Sequence, residues 1–258
     1  MKIGLIGNGA IAQYVSSRLH ARGHSLGALL LRPDRITPDA TIEVGSPKDL
    51  PTDIDLVIDC AGHQALAMYG PDILARGTDM ITVSLGALAD AQVATALENA
   101  ARLGASKLHL ASGAIGALDC LSAARAGRLT SVIYLGRKPP QGWKGSPAED
   151  KLDLDTLTDG AKTHFEGTAR AAALSYPKNA NVAAAVALAG LGFDDTQVRL
   201  IADAGIQQNI HEVHATGDFG EFRFHISGHS LPDNPRSSAL AAMSVLAKLD
   251  QIARRITL

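Results

Sequence analysis

Cysteine is scarce: the 258 residues hold only two, Cys60 and Cys120, far apart and without a Cys-x-x-Cys pair or a Cys/His spacing that a metal would use. That scarcity excludes a disulfide scaffold and a structural zinc ion, and both thiols lie in apolar segments, as expected of a reduced, cytoplasmic protein. No run of like charge occurs, and 24 basic residues stand against 26 acidic ones, so neither nucleic acid nor a membrane surface is an expected partner. No uninterrupted apolar stretch reaches the roughly 18 residues of a membrane span. Met1 leads straight into an apolar run, without the charged start and cleavage site of an export signal. Internal repeats and low-complexity tracts do not occur. What remains is a folded chain, 46% hydrophobic, long enough for one large domain or two modest ones. Its expected partners are small molecules or another copy of itself.

The most informative segment is the first. Lys2-Ile3-Gly4-Leu5-Ile6 is a short apolar run, and Gly7-Asn8-Gly9-Ala10-Ile11-Ala12 follows it at once. This is a strand running into a Gly-x-Gly-x-x-Ala turn that opens a helix. Gly7 serves the tight bend, Gly9 lets backbone approach a pyrophosphate, and Ala12 permits close packing of helix on strand. The amides that open the helix, at Asn8, Ala10 and Ile11, face the phosphates. The helix over 11–22 returns the chain to a second apolar run ending at Leu31, and Arg32 is the first side chain past it. An NAD-specific site usually places an acidic residue there. Arg32 favours a 2′-phosphate, whereas Asp34 can still turn toward an adenosine ribose, so NAD or NADP is the expected cofactor.

Apolar runs alternate with helical stretches through the first 110 residues: strands at 55–60, 80–83 and 107–110, helices at 63–76 and 88–103. Continuous apolar strands separated by helices of this length build a parallel sheet covered on both faces. The expected fold class is α/β, a Rossmann-type doubly wound parallel sheet with a second α+β substrate and dimerisation domain. In such sheets ligands lie beyond the carboxyl ends of the strands. The small-residue turns Cys60-Ala61-Gly62, Ser84-Leu85-Gly86-Ala87 and Ser112-Gly113-Ala114 should therefore line the cofactor crevice.

After Gly113 the pattern changes. A helix over 115–126 and a strand over 131–135 precede Pro139 to Pro147, whose prolines and glycines suggest a surface excursion. Helices at 167–175 and 179–191 follow, then strands at 197–203, 209–216 and 221–227, expected to form an antiparallel sheet. The last helix, 236–254, should pack back on the first domain. We expect a dinucleotide-binding domain of residues 1–111 joined by 236–258, and a substrate domain of residues 112–235.

Histidine is the natural proton carrier near neutral pH, and four of the nine fall at His211, His214, His225 and His229. On an alternating strand His211 and His214 face opposite sides, so at most one of the two serves a cleft; the plain alternative for each is a solvated or hydrogen-bonded strand histidine. Cys120, in an Ala/Leu-rich stretch, is expected to be buried and inert. Tyr176-Pro177-Lys178-Asn179-Ala180-Asn181 and Asn234-Pro235-Arg236-Ser237-Ser238 each place donors at a helix start, where an anion is favoured and where ordinary capping would also use them. Lys178 and Arg236 are the basic residues best placed to meet carboxylates.

Ile6-Gly7-Asn8-Gly9-Ala10-Ile11, Ala111-Ser112-Gly113-Ala114-Ile115-Gly116-Ala117, Tyr176-Pro177-Lys178-Asn179-Ala180-Asn181-Val182-Ala183 and Asp233-Asn234-Pro235-Arg236-Ser237-Ser238-Ala239-Leu240 occur in this order. Together they resemble the L-aspartate dehydrogenase family from first strand to last helix. The resemblance implies oxidative deamination of L-aspartate with NAD or NADP through iminoaspartate to oxaloacetate and ammonia, reversibly, with iminoaspartate feeding quinolinate and NAD synthesis. It also implies a metal-free homodimer, His211 as the catalytic histidine, and cofactor contacts at Ala114 and Asn181. Lys178, Arg236, Ser237 and Ser238 are the candidates for the two substrate carboxylates. The alternatives are another NAD(P)-dependent reductase of a small amino or keto dicarboxylate, and a non-catalytic NADPH sensor. A dihydrodipicolinate reductase or homoserine dehydrogenase should carry its own substrate-domain signature, which is not found here. A phosphorylating aldehyde dehydrogenase would need a thiolate.

Overall fold

A computed structural model describes residues 1–177, 179–232 and 234–256, and of Pro235 and Arg236 the backbone alone. The chain divides into two units, one of residues 1–87, 91–111 and 241–258, the other of 88–90 and 112–240.

In the first unit the expected alternation is realised as β1 (Lys2–Ile6), α1 (Ala10–Leu19), β2 (Ser25–Leu30), β3 (Glu43–Val44), β4 (Leu56–Asp59), α2 (His63–Ala75), β5 (Asp79–Thr82), α3 (Ala91–Gly104) and β6 (Leu108–Leu110). The strands lie in the order β3-β2-β1-β4-β5-β6, and all pairs are parallel. The order reverses at β1, so the carboxyl ends of β1 and β4 flank the switch point at which doubly wound sheets bind ligands. Ile3, Leu5, Leu56, Ile58 and Ile81 from the strands and Val15 and Leu19 from α1 form the core. Buried aliphatic side chains of this size contribute about 1.5–3 kcal/mol each.

The second unit contains α4 (Leu118–Ala124), β7 (Leu129–Lys138), β8 (Ala161–Thr168), α5 (Ala169–Ser175), α6 (Asn181–Ala189), β9 (Gln197–Asp203), β10 (Asn209–Gly217), β11 (Gly220–Gly228), β12 (Ser230–Leu231) and β13 (Asn234–Ser238). Its sheet has the order β11-β10-β7-β9-β8. The last helix, α7 (Ala239–Ala253), sends Val245, Leu246 and Leu249 into the core of the first unit.

Several expectations are corrected. The second sheet is mixed, because β7 and β9 run parallel, while its other pairs are antiparallel. β8 was not anticipated: its sequence Ala161-Lys-Thr-His-Phe-Glu-Gly-Thr168 carries a weak alternation, and Gly167 and Thr168, read as helix, belong to it. The Pro/Gly stretch after residue 138 runs at the surface as expected, with Gln141, Gly142, Lys144 and Gly145 exposed, but it is anchored inward. Pro140 to Trp143 form a 3-10 turn that drives Trp143 into the interior at 0% exposure, where its indole N–H donates to the Ile201 carbonyl at 2.9 Å. Cys120 is exposed, not buried, since it lies on the outward side of the short helix α4. Residues 236–238 do not begin the last helix; they lie on β13, which pairs with β12, so Ser237 and Ser238 are strand residues and not donors within a helical first turn.

Candidate active site

The glycine turn of the first unit has the backbone its sequence demands. Gly7 has φ +87°, and a Cβ there would come within 2.9 Å of the Ala61 side chain, so the turns after β1 and β4 touch. Gly9 precedes α1 with an extended backbone and no side-chain cap, and the place a Cβ would occupy has nothing within 4 Å. Gly62, at φ +97°, stands before α2 in the same uncapped way. A helix start without a side-chain cap and with open space at the preceding glycine suits an anion. The residue types and this cradle fit a dinucleotide pyrophosphate, with Gly7, Asn8, Gly9, Ala10 and Ile11 as the residues that would hold it.

Beside the turn lies a buried carboxylate that the sequence reading passed over. Asp59, at 0% exposure, accepts hydrogen bonds from the Thr82 hydroxyl at 2.7 Å, the Ser84 hydroxyl at 2.6 Å and the Ala61 amide at 2.9 Å. The Ser84 amide in turn donates to Thr82 Oγ1 at 2.9 Å. One side chain thus fixes the turns after β4 and β5. Burial pushes the Asp59 carboxyl up, opposed by its three donors. Ser84, expected at the crevice, is 1% exposed and turned toward Asp59, and Gly86 is buried beside it. Cys60 and Ala61 follow Asp59 directly; burial and the neighbouring carboxylate push the Cys60 thiol well up, so it is no nucleophile. Arg32 is exposed, with Nε 3.9 Å from Asp34, a distance at which it keeps its donors for another partner.

In the second unit His211 lies on β10 with the alternation expected of it. His211, Val213 and Ala215 are buried, whereas Glu212 and His214 are half-exposed. Glu212 holds the bystanders: His214 lies 3.5 Å and His225 3.6 Å from its carboxylate. His211, 4% exposed, instead meets Tyr134, whose Oη is 2.7 Å from Nδ1. Gly136 stands opposite His211 across the β7–β10 pair. Burial, and secondarily the charge of Lys138, lower the imidazole to about 3. His211 is therefore neutral, and among the described residues its Nε2 has no hydrogen-bond partner. When the Nδ1–H donates to Tyr134, Nε2 is a free acceptor; when the phenol donates to Nδ1, Nε2 carries the proton.

The charge of Lys138 is felt at His211, and its ammonium donates to Asn179 Oδ1 at 2.7 Å; the same charge is felt at a second buried histidine, His164, whose Nδ1 lies 3.2 Å from the Tyr176 hydroxyl. Burial lowers His164 to about 4, and its Nε2 is a buried atom without a hydrogen bond. Of the predicted residues, Ala114 is buried next to Gly113, which has φ +72°. Asn181 is the first residue of α6, and Ser237 and Ser238 are half-buried on β13. Lys178 lies outside the described residues, as does the Arg236 side chain. Tyr134, Lys138 and Asp59 were missed; the signal was present as Tyr134-x-Gly136-x-Lys138 on one strand face and as an acid closing the apolar run Leu56-Val57-Ile58. Among the described residues no cluster of His, Cys, Asp or Glu could hold a metal, and no helix is long and apolar enough to cross a membrane.

Comparison with known proteins agrees with both halves of this description. Residues 119–252 match the family model "Aspartate dehydrogenase, C-terminal", and residues 7–111 match "Homoserine dehydrogenase, NAD binding domain". An L-aspartate dehydrogenase of Ruegeria pomeroyi is 55% identical over 257 residues, covering 97% of this chain and 92% of the relative. One from Polaromonas sp. is 45% identical over 261 residues, covering 96% of each. The crystal structure of aspartate dehydrogenase from Thermotoga maritima superposes with a TM-score of 0.77 at 27% identity, over 100% of this chain and 99% of that one. A second unit matched along most of its length by the aspartate dehydrogenase model, together with a nucleotide-binding unit that fits NAD or NADP and a relative 55% identical, makes this chain an NAD(P)-dependent oxidoreductase that belongs to the L-aspartate dehydrogenase family.

Proposed function

We propose that the protein oxidises L-aspartate to iminoaspartate, which water converts to oxaloacetate and ammonia, and that His211 moves the proton. The observation that carries this reading is the buried pair Tyr134–His211, which leaves Nε2 of a neutral imidazole without a partner among the described residues. The nicotinamide cofactor supplies the hydride acceptor. The substrate ammonium loses one proton before the α-hydrogen leaves as hydride, and the imine needs a water deprotonated when it is hydrolysed. A neutral imidazole accepts the first proton and, once that proton has passed to solvent, accepts the second from the attacking water. Its low affinity for a proton in the free protein comes from burial and from Lys138; a substrate with two carboxylates offsets both and lifts the histidine toward reversible transfer. The Tyr134 oxygen accepts the Nδ1–H hydrogen bond while Nε2 takes up the proton.

Gly7 to Ile11, Cys60 to Gly62, Gly86, Ala114 and Asn181 are assigned to cofactor binding, and Arg32 to the 2′-phosphate of NADP; Ser84, whose hydroxyl and amide are spent on Asp59 and Thr82, holds the turn rather than the cofactor. Ser237, Ser238, Arg236 and Lys178 are assigned to substrate. A cytoplasmic homodimer that supplies iminoaspartate to NAD synthesis is the setting this family membership supports.

The test is growth of reduced-nicotinamide absorbance with purified protein, L-aspartate and NAD or NADP in parallel, with L-glutamate, L-alanine and L-homoserine as controls. Aspartate-dependent reduction is expected. Cofactor binding without reduction by any of these amino acids would point to a non-catalytic sensor.

A further inference from the structure

One cation of the second unit differs from its neighbours. Arg137 pairs with Asp203, Lys144 with Asp155, Arg170 with Asp194 and Arg199 with Glu166. Lys138, the last residue of β7, meets no carboxylate within 4 Å among the described residues. Its Nζ donates to the neutral Asn179 side chain and lies 4.9 Å above the ring centre of the buried Trp143. An ammonium has three N–H groups, so one is spent on Asn179, one side rests on a ring face, and donor capacity is left over. Burial pulls the group down to about 8.

The strand explains where this charge points. Side chains at 134, 136 and 138 share one face of β7. Tyr134 leans across Gly136 to His211, and the charge of Lys138 is felt at both His211 and His164. A half-buried ammonium without a counter-ion is costly to the fold. The cost is recovered when an anion completes the set, and a lysine over an aromatic face with one neutral tether is ready to receive a carboxylate.

We propose that Lys138 receives a carboxylate of the bound substrate, next to the histidine that moves its proton, and thereby selects a dicarboxylate. The proposal rests on the reading of L-aspartate as substrate, and the experiment separates the two. Succinate, which has both carboxylates but no amine to oxidise, is titrated calorimetrically into NADPH-saturated wild type, Lys138→Met and Lys138→Arg. Loss of one charge-assisted hydrogen bond is expected to raise the succinate dissociation constant about 10- to 100-fold in Lys138→Met, with NADPH affinity unchanged. Lys138→Arg, which keeps the charge, should stay within about tenfold of wild type. If Lys138→Met does not fold, Lys138→Gln, which keeps a donor for Asn179, takes its place.

Unchanged succinate binding in a folded Lys138→Met, equal loss in the Arg and Met variants, or no succinate binding by wild type would each overturn the role of Lys138. Wild type that binds succinate through Lys138 yet does not oxidise aspartate would sink the aspartate reading and leave the carboxylate site standing.

Discussion

The phenolic oxygen of Tyr134 lies 2.7 Å from the point that a Cβ on Gly136 would occupy. Glycine at 136 is thus what lets Tyr134 reach across its own strand to His211. Gly136→Ala must push aside a ring that is 1% exposed, and overpacking of this kind costs about 1–3 kcal/mol. The variant should melt at lower temperature and lose turnover together, because the displaced hydroxyl no longer fixes the Nδ1 tautomer. Tyr134→Phe removes the hydroxyl alone; it should retain most of the stability and shift the pH profile of kcat. An unaltered profile would leave Tyr134 a packing residue.

His211→Ala removes the proposed proton carrier, and a drop in kcat of about 10²- to 10⁴-fold is expected. NADPH affinity, measured by fluorescence titration, should not change. Near-normal turnover would transfer the role to another group.

Gly7 and Gly9 should respond in opposite ways to alanine. At Gly7 the positive φ and the 2.9 Å approach to Ala61 make Gly7→Ala destabilising even without cofactor. At Gly9 the backbone is extended and the space is open, so Gly9→Ala should fold normally and melt at the wild-type temperature. Its methyl group stands where a pyrophosphate would approach, and a loss of cofactor affinity of roughly tenfold or more is expected. Equal NADPH dissociation constants for wild type and Gly9→Ala would refute this placement.

Asp59→Ala strands the Thr82 and Ser84 hydroxyls and the Ala61 amide that now point at the carboxylate. Unsatisfied buried donors cost about 1–3 kcal/mol each, so urea unfolding should show a lower midpoint. Because both strand-end turns loosen, NADPH should also bind more weakly. A variant as stable as wild type would show that the network contributes little.

Acid should destabilise the second unit well before carboxylates titrate. His211 is lowered to about 3 and His164 to about 4 from an ordinary 6.5. As pH falls below 6.5 the unfolded chain takes up these protons and the folded one does not. The stability from keeping them neutral is complete above about 6.5 and is lost as pH falls toward the folded values, at up to about 1.4 kcal/mol per pH unit for each histidine. Unfolding free energies between pH 7 and 4.5 should show this slope, and His164→Phe should reduce it. A slope identical in wild type and His164→Phe would remove His164 from the account.

Most of the first unit was legible because its signals are local. Gly7, Gly9 and Ala12 carry backbone requirements in their own identity, and the apolar runs of β1, β4 and β5 need no partner to be recognised. The second unit was harder where pairing decides. The parallel contact of β7 with β9 leaves no mark on either strand, and β8 mixes Lys162, His164 and Glu166 on its two faces. Trp143 was hidden by its prolines and glycines, which mark a turn without saying which way the turn faces. Lys138 and Asp59 were passed over for a related reason. A charged residue at a strand end usually reaches solvent, and only the surrounding side chains reveal that these two do not. Arg236 and Ser237 were assigned to a helix because proline and serine often begin one, whereas pairing with β12 extends the chain there instead.

The helix that closes the first core, α7, is made after the whole of the second sheet. Val245, Leu246 and Leu249 emerge from the ribosome after every strand of the second unit. Domains usually fold in the order of synthesis, but here the amino-terminal sheet must wait with one flank uncovered while the inserted unit, whose strands are all upstream of α7, completes itself. The nucleotide cradle is therefore translated ahead of the second unit yet finished after it, and a truncated product ending before α7 would carry a folded second unit on an open nucleotide sheet.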